Sequence, residues 1–320
     1  MARSDLLLNL VEAERSGDRR RFLTVVESVI AEERKKQHHL VADRLEELIS
    51  TRGSSSTASY QSPPITQNGL LLEVVPQRRL ADLSLPNEMA AVVSEVIEEQ
   101  RRRDLLRTHG LEPRHRLLLV GPPGNGKTSL AEAIAAELMV PMLVASYEAL
   151  ISSYLGETAS RLAAMFEFVR LRECVLFLDE FDTIAKERAD DQDTGELKRV
   201  VSSLLLGVDR LPSHVILVTA SNHPEVLDRA VGRRFQVHVT LSAPSQAEIC
   251  RFVERQERRG NSFGVPPEAI ATAMAGASYS EVEDLLLDAR RRYVLGLPDA
   301  DLKRTVQERL DRWRQRKHHQ

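Results

Sequence analysis

Between residues 4 and 50, apolar positions recur at helical spacing: Leu6 and Leu10, then Phe22, Val25, Val26, Val29 and Ile30, then Val41, Leu45, Leu48 and Ile49. Gly17-Asp18 reads as a break followed by an N-cap. Residues 1–50 therefore predict two or three short helices in a small bundle. Over 51–69 the periodicity dissolves into Ser, Gly and Pro, the composition of a flexible linker. From about residue 85 short apolar runs alternate with helical stretches. The runs Arg116–Val120, Pro141–Val144, Cys174–Leu178, Val215–Thr219 and Gln236–Thr240 predict strands; Thr128–Leu138, Ala159–Val169 and Glu196–Leu206 predict helices between them. This alternation specifies an α/β fold with a doubly wound parallel sheet over residues 70–243. Beyond Pro244 no strand pattern remains. Ser245–Arg258, Pro266–Ala275, Tyr279–Tyr293 and Asp301–Arg314 predict an all-helical subdomain over 244–320.

Composition narrows this only modestly. Apolar residues are 42% and charged residues 28%, and 44 basic against 47 acidic side chains give a net charge of −3. That balance lacks the basic excess of a dedicated nucleic-acid binder. Cys174 opens an apolar run and Cys250 sits in a helical pattern, so both read as small core residues. The first ten residues carry too short an apolar run for a signal peptide, and no stretch is long enough to span a bilayer. The expected location is the cytoplasm, with no membrane partner.

The chemistry concentrates where the first predicted strand ends. Arg116–Val120 runs into Gly121-Pro122-Pro123-Gly124-Asn125-Gly126-Lys127-Thr128-Ser129, which enters a helix. This is the complete Walker A pattern in its strand–loop–helix setting. Glycines 121, 124 and 126 let backbone N–H groups wrap a phosphate chain, and the following helix adds its positive end. Lys127 is expected on the β- and γ-phosphates and Thr128 on Mg²⁺. Downstream, Val175-Leu-Phe-Leu-Asp179-Glu180 is an apolar strand ending in two acids at the edge where such sheets bind ligands. Asp179 is the expected Mg²⁺ ligand and Glu180 the base that polarises the attacking water.

With those motifs in place the chain resembles the AAA family of ATPases over about residues 75–315. The loop has the family's form, with Asn125 where Thr is commoner. Thr219-Ala-Ser-Asn222 resembles the sensor-1 segment, which implies that Asn222 contacts the γ-phosphate or positions the water. Leu227-Asp-Arg-Ala-Val-Gly-Arg233-Arg234-Phe235 resembles the second region of homology, which implies that Arg233 or Arg234, less so Arg229, reaches into a neighbouring subunit's site. A guanidinium there stabilises charge growing on the γ-phosphoryl oxygens. Leu80-Ala-Asp82-Leu83 stands where relatives close over adenine, so Asp82 is a candidate cofactor-binding residue. The segment Gly276-Ala-Ser278-Tyr279-Ser-Glu departs from the family: Tyr279 occupies the usual glycine position and no sensor-2 arginine is evident.

The resemblance also bears on the task. Ser153-Tyr154-Leu155-Gly156-Glu157 resembles the family's aromatic–hydrophobic–glycine pore loop, and Ala189–Gly195 stands as a second pore-facing loop. An aromatic ring offers a large, sequence-tolerant grip and glycine lets the loop bend. Together these imply a homo-oligomeric ring, a hexamer by resemblance, that uses Mg-ATP to remodel or unfold a protein substrate. The N-terminal bundle would recruit a substrate or adaptor, or serve assembly. No Gly-x-Ser-x-Gly or His-Glu-x-x-His pattern occurs, so any peptide cleavage would fall to a separately encoded protease. Two alternatives differ in kind: an ATP-driven regulatory scaffold, and a nucleic-acid motor supported only by Arg312–His319 and Arg101–Arg103.

Overall fold

The computed structural model describes residues 30, 34, 65–66, 70–145, 155–181, 195–223, 229–260 and 262–317. The N-terminal helices, most of the linker, Tyr154 and Ala189–Thr194 of the second loop lie outside the described residues.

The sheet is built from β1 (Ile65–Thr66), β2 (Leu71–Val74), β3 (Arg116–Val120), β4 (Met142–Ala145), β5 (Cys174–Leu178), β6 (Val215–Ser221) and β7 (Val237–Thr240), in the order β1-β2-β4-β5-β6-β3-β7. The five strands from β3 to β7 are mutually parallel. All five are the runs expected from sequence, with ends shifted by a residue or two. β1 and β2 add an antiparallel hairpin against β4 that the sequence reading does not contain.

Period-two alternation sends each central strand's side chains to two different cores. Leu117 and Leu119, Val175 and Phe177, and Ile216, Val218 and Ala220 face α1 (Asn87–Arg101) and α3 (Lys127–Leu138). Leu118, Cys174, Leu176 and Leu178, and Val215 and Leu217 face α4 (Leu155–Arg170) and α5 (Gly195–Asp209). β5 and β6 are buried along their whole length, as strands covered on both faces must be. A short helix α2 (Arg103–Thr108) follows α1, and α6 (Arg229–Gly232) leads into β7.

Beyond β7 the chain forms α7 (Gln246–Arg259), α8 (Pro267–Ala273), α9 (Tyr279–Leu295) and α10 (Leu302–Lys317) around their own core of Ile249, Val253, Phe263, Ile270, Val282, Leu286, Val306 and Leu310. Ser245 and Ser278 start α7 and α9 with capping boxes completed by Glu248 and Glu281. Those caps fix where α9 begins, and its first residues meet the sheet domain.

Candidate active site

Three chain segments leave the sheet at the same edge. In register, Leu178 of β5 lies beside Thr219 of β6, and Ser221 beside Val120 of β3. The residues that follow are therefore neighbours: Asp179-Glu180, Asn222 and Gly121. This is the carboxyl edge of a doubly wound sheet, where helices leave on opposite faces and a crevice opens.

The loop from Gly121 to Gly126 is gripped from two sides. Gly121 N–H donates to Ser221 O at 3.2 Å, and Leu241 N–H to Val120 O at 2.7 Å. Gly121 has φ 143°, and a Cβ there would lie 2.1 Å from the Leu241 carbonyl oxygen. On the other side, Ser280 N–H donates to Gly124 O at 3.0 Å. A Cβ on Gly124 (φ 77°) would lie 2.2 Å from Ser280 Oγ and 2.8 Å from Ser278 Oγ. Gly121→Ala is therefore expected to destabilise the chain beyond the about 1–3 kcal/mol of backbone strain alone. Gly110→Ala supplies the control, since Gly110 also has positive φ (72°) but nothing within 4 Å of its Cβ position. Equal urea midpoints for the two variants would show that the sheet does not hold the loop as described.

Lys127, buried at the start of α3, donates through Nζ to Gly121 O at 2.6 Å and Pro122 O at 3.0 Å. Its ammonium is thus held inside the curve of the loop. Asn125 is buried too, with Nδ2 3.5 Å from Pro122 O. Thr128 is exposed, and Arg78 donates to Ser129 Oγ at 2.5 Å.

Loop and lid enclose a cleft of about 480 Å³, within the range of small-molecule sites. Pro123 through Ser129, Asp179, Glu180, Asn222 and Asp82 all line it. Gly121 and Pro122 stand behind this lining, where their carbonyls hold Lys127. Glu180 takes a left-handed backbone conformation, φ 52°, uncommon for a residue with a side chain. Its N–H donates to Asp179 Oδ1 at 2.9 Å, which orients the neighbouring carboxylate.

Asp82 is already engaged by protein. Oδ2 accepts from Arg79 N–H at 2.8 Å, Oδ1 pairs with Arg259 of α7, and its carbonyl accepts from Arg255 at 2.6 Å. The carboxylate thus clips lid to sheet domain while bordering the cleft. The sequence reading does not single out Phe252, Gln256 and Arg259 of the lid, or Arg78, which also line it. Ser280 and Glu283 line it too, from the segment 276–283 compared above with the family's sensor-2 region. No local motif marks the first three, because the docking of the lid brings them there.

Arg233 and Arg234 do not line this cleft. Gln236 N–H donates to Arg116 O at 3.0 Å, placing the residues before β7 at the amino end of β3. The loop lies at the carboxyl end, four residues or about 13 Å along the strand. Arg234 Nε is 3.1 Å from Asp209 Oδ2 at the end of α5, and Asp209 also faces Arg116 at 3.6 Å. Arg233 is exposed. The side chains of Leu155 and Arg229 lie outside the described residues, although the backbones of Leu155 and Gly156 belong to α4 and that of Arg229 to α6. Among the described residues no helix is long and apolar enough to cross a membrane.

Comparison with known proteins agrees with this architecture. Residues 117–243 match the family model described as "ATPase family associated with various cellular activities (AAA)". An uncharacterized AAA family ATPase of Sinorhizobium fredii, y4kL, is 34% identical over 315 residues, which is 97% of this chain and 93% of that one. The ATP-dependent zinc metalloprotease FtsH of Acidothermus cellulolyticus is 34% identical over 225 residues, 67% of this chain but only 34% of that protein. Among solved structures, the crystal structure of the FIGL-1 AAA domain superposes with a TM-score of 0.61 at 20% identity, covering 76% of this chain and 86% of that one. The phosphate loop, the sheet order and a relative matched over nearly its full length place this chain in the AAA family of nucleotide-binding, ATP-hydrolysing enzymes.

Proposed function

We propose that this chain is the repeating subunit of a hexameric ring that couples ATP hydrolysis to the remodelling or unfolding of a protein substrate. The observation that carries the reading is the distance between Arg233–Arg234 and the chain's own cleft. Loop, acids and Asn222 share a cleft that Arg233 and Arg234 do not line. Among the described residues the arginines that do are Arg78, bonded to Ser129, and Arg259, paired with Asp82. The finger for the γ-phosphate would therefore come from a neighbouring subunit. Such head-to-tail completion closes into a ring when the rotation permits.

Within the site, Gly121 to Ser129 cradle the triphosphate through loop amides and the start of α3. Lys127 turns from the loop carbonyls toward the β- and γ-phosphates. Thr128 and Asp179 present two hard oxygen donors to one cleft, the few-ligand set that suits Mg²⁺. Thr128 and Asp179 would hold the ion, which would supply positive charge against the phosphate oxygens. Glu180 polarises the attacking water and Asn222 holds it in line.

The remodelling task draws support from the similarity to FtsH, named an ATP-dependent zinc metalloprotease, although the chain spans about a third of that relative. It draws further support from the sequence Ser153-Tyr154-Leu155-Gly156-Glu157, whose last three residues begin α4. Tyr154, Leu155 and Gly156 would grip an extended segment, with a substrate or adaptor received by residues 1–50 and any cleavage left to a partner protease. Steady-state phosphate release with and without casein tests this. Casein is expected to stimulate the wild type severalfold and Tyr154→Ala not at all, at equal basal rates. No stimulation of the wild type would favour the regulatory-scaffold reading.

A further inference from the structure

The lid helix α9 begins with Tyr279, whose side chain crosses to the sheet domain. Its hydroxyl donates to the Ser84 carbonyl at 3.1 Å, and its ring lies against Phe252 of α7, centroids 5.3 Å apart and planes tilted by 56°. Tyr279, Phe252, Leu83 and Leu85 line the same cleft as the phosphate loop. The lining therefore combines two kinds of surface: the polar and charged Lys127, Thr128, Asp179 and Glu180, and the aromatic and aliphatic Tyr279, Phe252, Leu83 and Leu85. Asp82, Gln256, Arg259 and Glu283 also stand on its border. A nucleoside triphosphate divides in the same way, into a charged chain and a flat π-system.

We propose that Tyr279, backed by Phe252, is the face on which the lid stacks the purine ring of ATP, and that it sets the preference for purine over pyrimidine nucleotides. A tyrosine ring presents a wide flat surface on two rotatable angles, and its hydroxyl bond to Ser84 holds the orientation. Burial pushes the phenol up to about 12, with Glu248 adding to the effect, so the hydroxyl stays a donor throughout the physiological range. Ser84 Oγ adds an independent observation: it is buried and without a hydrogen-bond partner beside this wall. A hydroxyl both donates and accepts, so it can meet the edge of a base. Glycine at position 279, the usual residue in the resembling family, would offer neither ring nor tether.

The proposal rests on the nucleotide reading of the cleft, and the experiment separates the two. Binding of ADP, CDP and pyrophosphate to the full chain is measured by calorimetry for wild type, Tyr279→Gly and Tyr279→Phe. Base–aromatic stacking of ordinary strength predicts that Tyr279→Gly weakens ADP about tenfold, leaves pyrophosphate within about twofold and brings the ADP-to-CDP ratio toward one. Tyr279→Phe keeps the ring and should stay within about threefold of wild type for ADP. Equal losses for ADP and pyrophosphate, unchanged ADP binding by Tyr279→Gly, or a Tyr279→Phe defect as large as that of glycine would each overturn the assignment. A wild-type chain that binds none of the three would sink the nucleotide reading itself, and this proposal with it.

Discussion

Glu180→Gln is expected to bind ATP as tightly as the wild type and to hydrolyse it about 10²–10⁴-fold more slowly. The substitution keeps the size of the side chain and its backbone setting. The N–H that orients Asp179 Oδ1 is a main-chain group and survives it. Lys127, the loop amides and Thr128 are likewise untouched, so ground-state binding should not move. What disappears is the negative charge that draws a proton from water. The left-handed backbone at Glu180, φ 52°, aims the side chain from a turn rather than along the strand, an arrangement that would be needless for a strand-end acid. The measurement pairs steady-state phosphate release with equilibrium ATP binding on the same preparation. Near-normal turnover would remove Glu180 from the reaction. A parallel loss of binding would instead mean that Glu180 holds the nucleotide or its metal.

The parallel strands were legible because each is short and most are apolar runs, with β7 (Val-His-Val-Thr) alternating instead. β5 and β6, buried end to end, leave no polar face to confuse with an amphipathic helix. The hairpin of β1 and β2 was hidden for the opposite reason. Two and four residues at a sheet edge carry almost no period, and Leu71-Leu72-Glu73-Val74 reads equally well as a helix turn. The phosphate loop and Asp179-Glu180 form contiguous motifs, so sequence alone could place them at one edge. Phe252, Gln256 and Arg259 enter the cleft through the docking of the lid, to which Arg255 and Arg259 contribute by reaching Asp82, 173 and 177 residues away. Tyr279 stood out as a departure from a family pattern, yet its partner Ser84 is 195 residues distant and no spacing rule joins them. The sequence also named Asp82 without its burden, which is to tie the lid down.

Removing both arginines, in Arg233→Ala/Arg234→Ala, is expected to lower ATP turnover by about 10³–10⁵ while leaving ATP affinity unchanged, as for other guanidinium fingers. The fold should tolerate the change. Arg233 is exposed, and the Arg234–Asp209 pair is partly exposed, a setting in which ion pairs contribute about 0–1 kcal/mol. A purely local role at the amino end of β3 would therefore cost little activity, because the chain's own cleft lies about 13 Å away at the other end of that strand. Mixing gives the decisive result. Lys127→Ala subunits carry intact arginines on a crippled loop, and the double variant carries an intact loop without arginines. In a head-to-tail ring assembled at random from equal parts, about one site in four joins a sound loop to a neighbour's arginines. Activity should accordingly rise from near zero to about a quarter of the wild-type rate per subunit, and should require subunit exchange. If the mixture stays inactive although the subunits exchange, the arginines do not act across the interface.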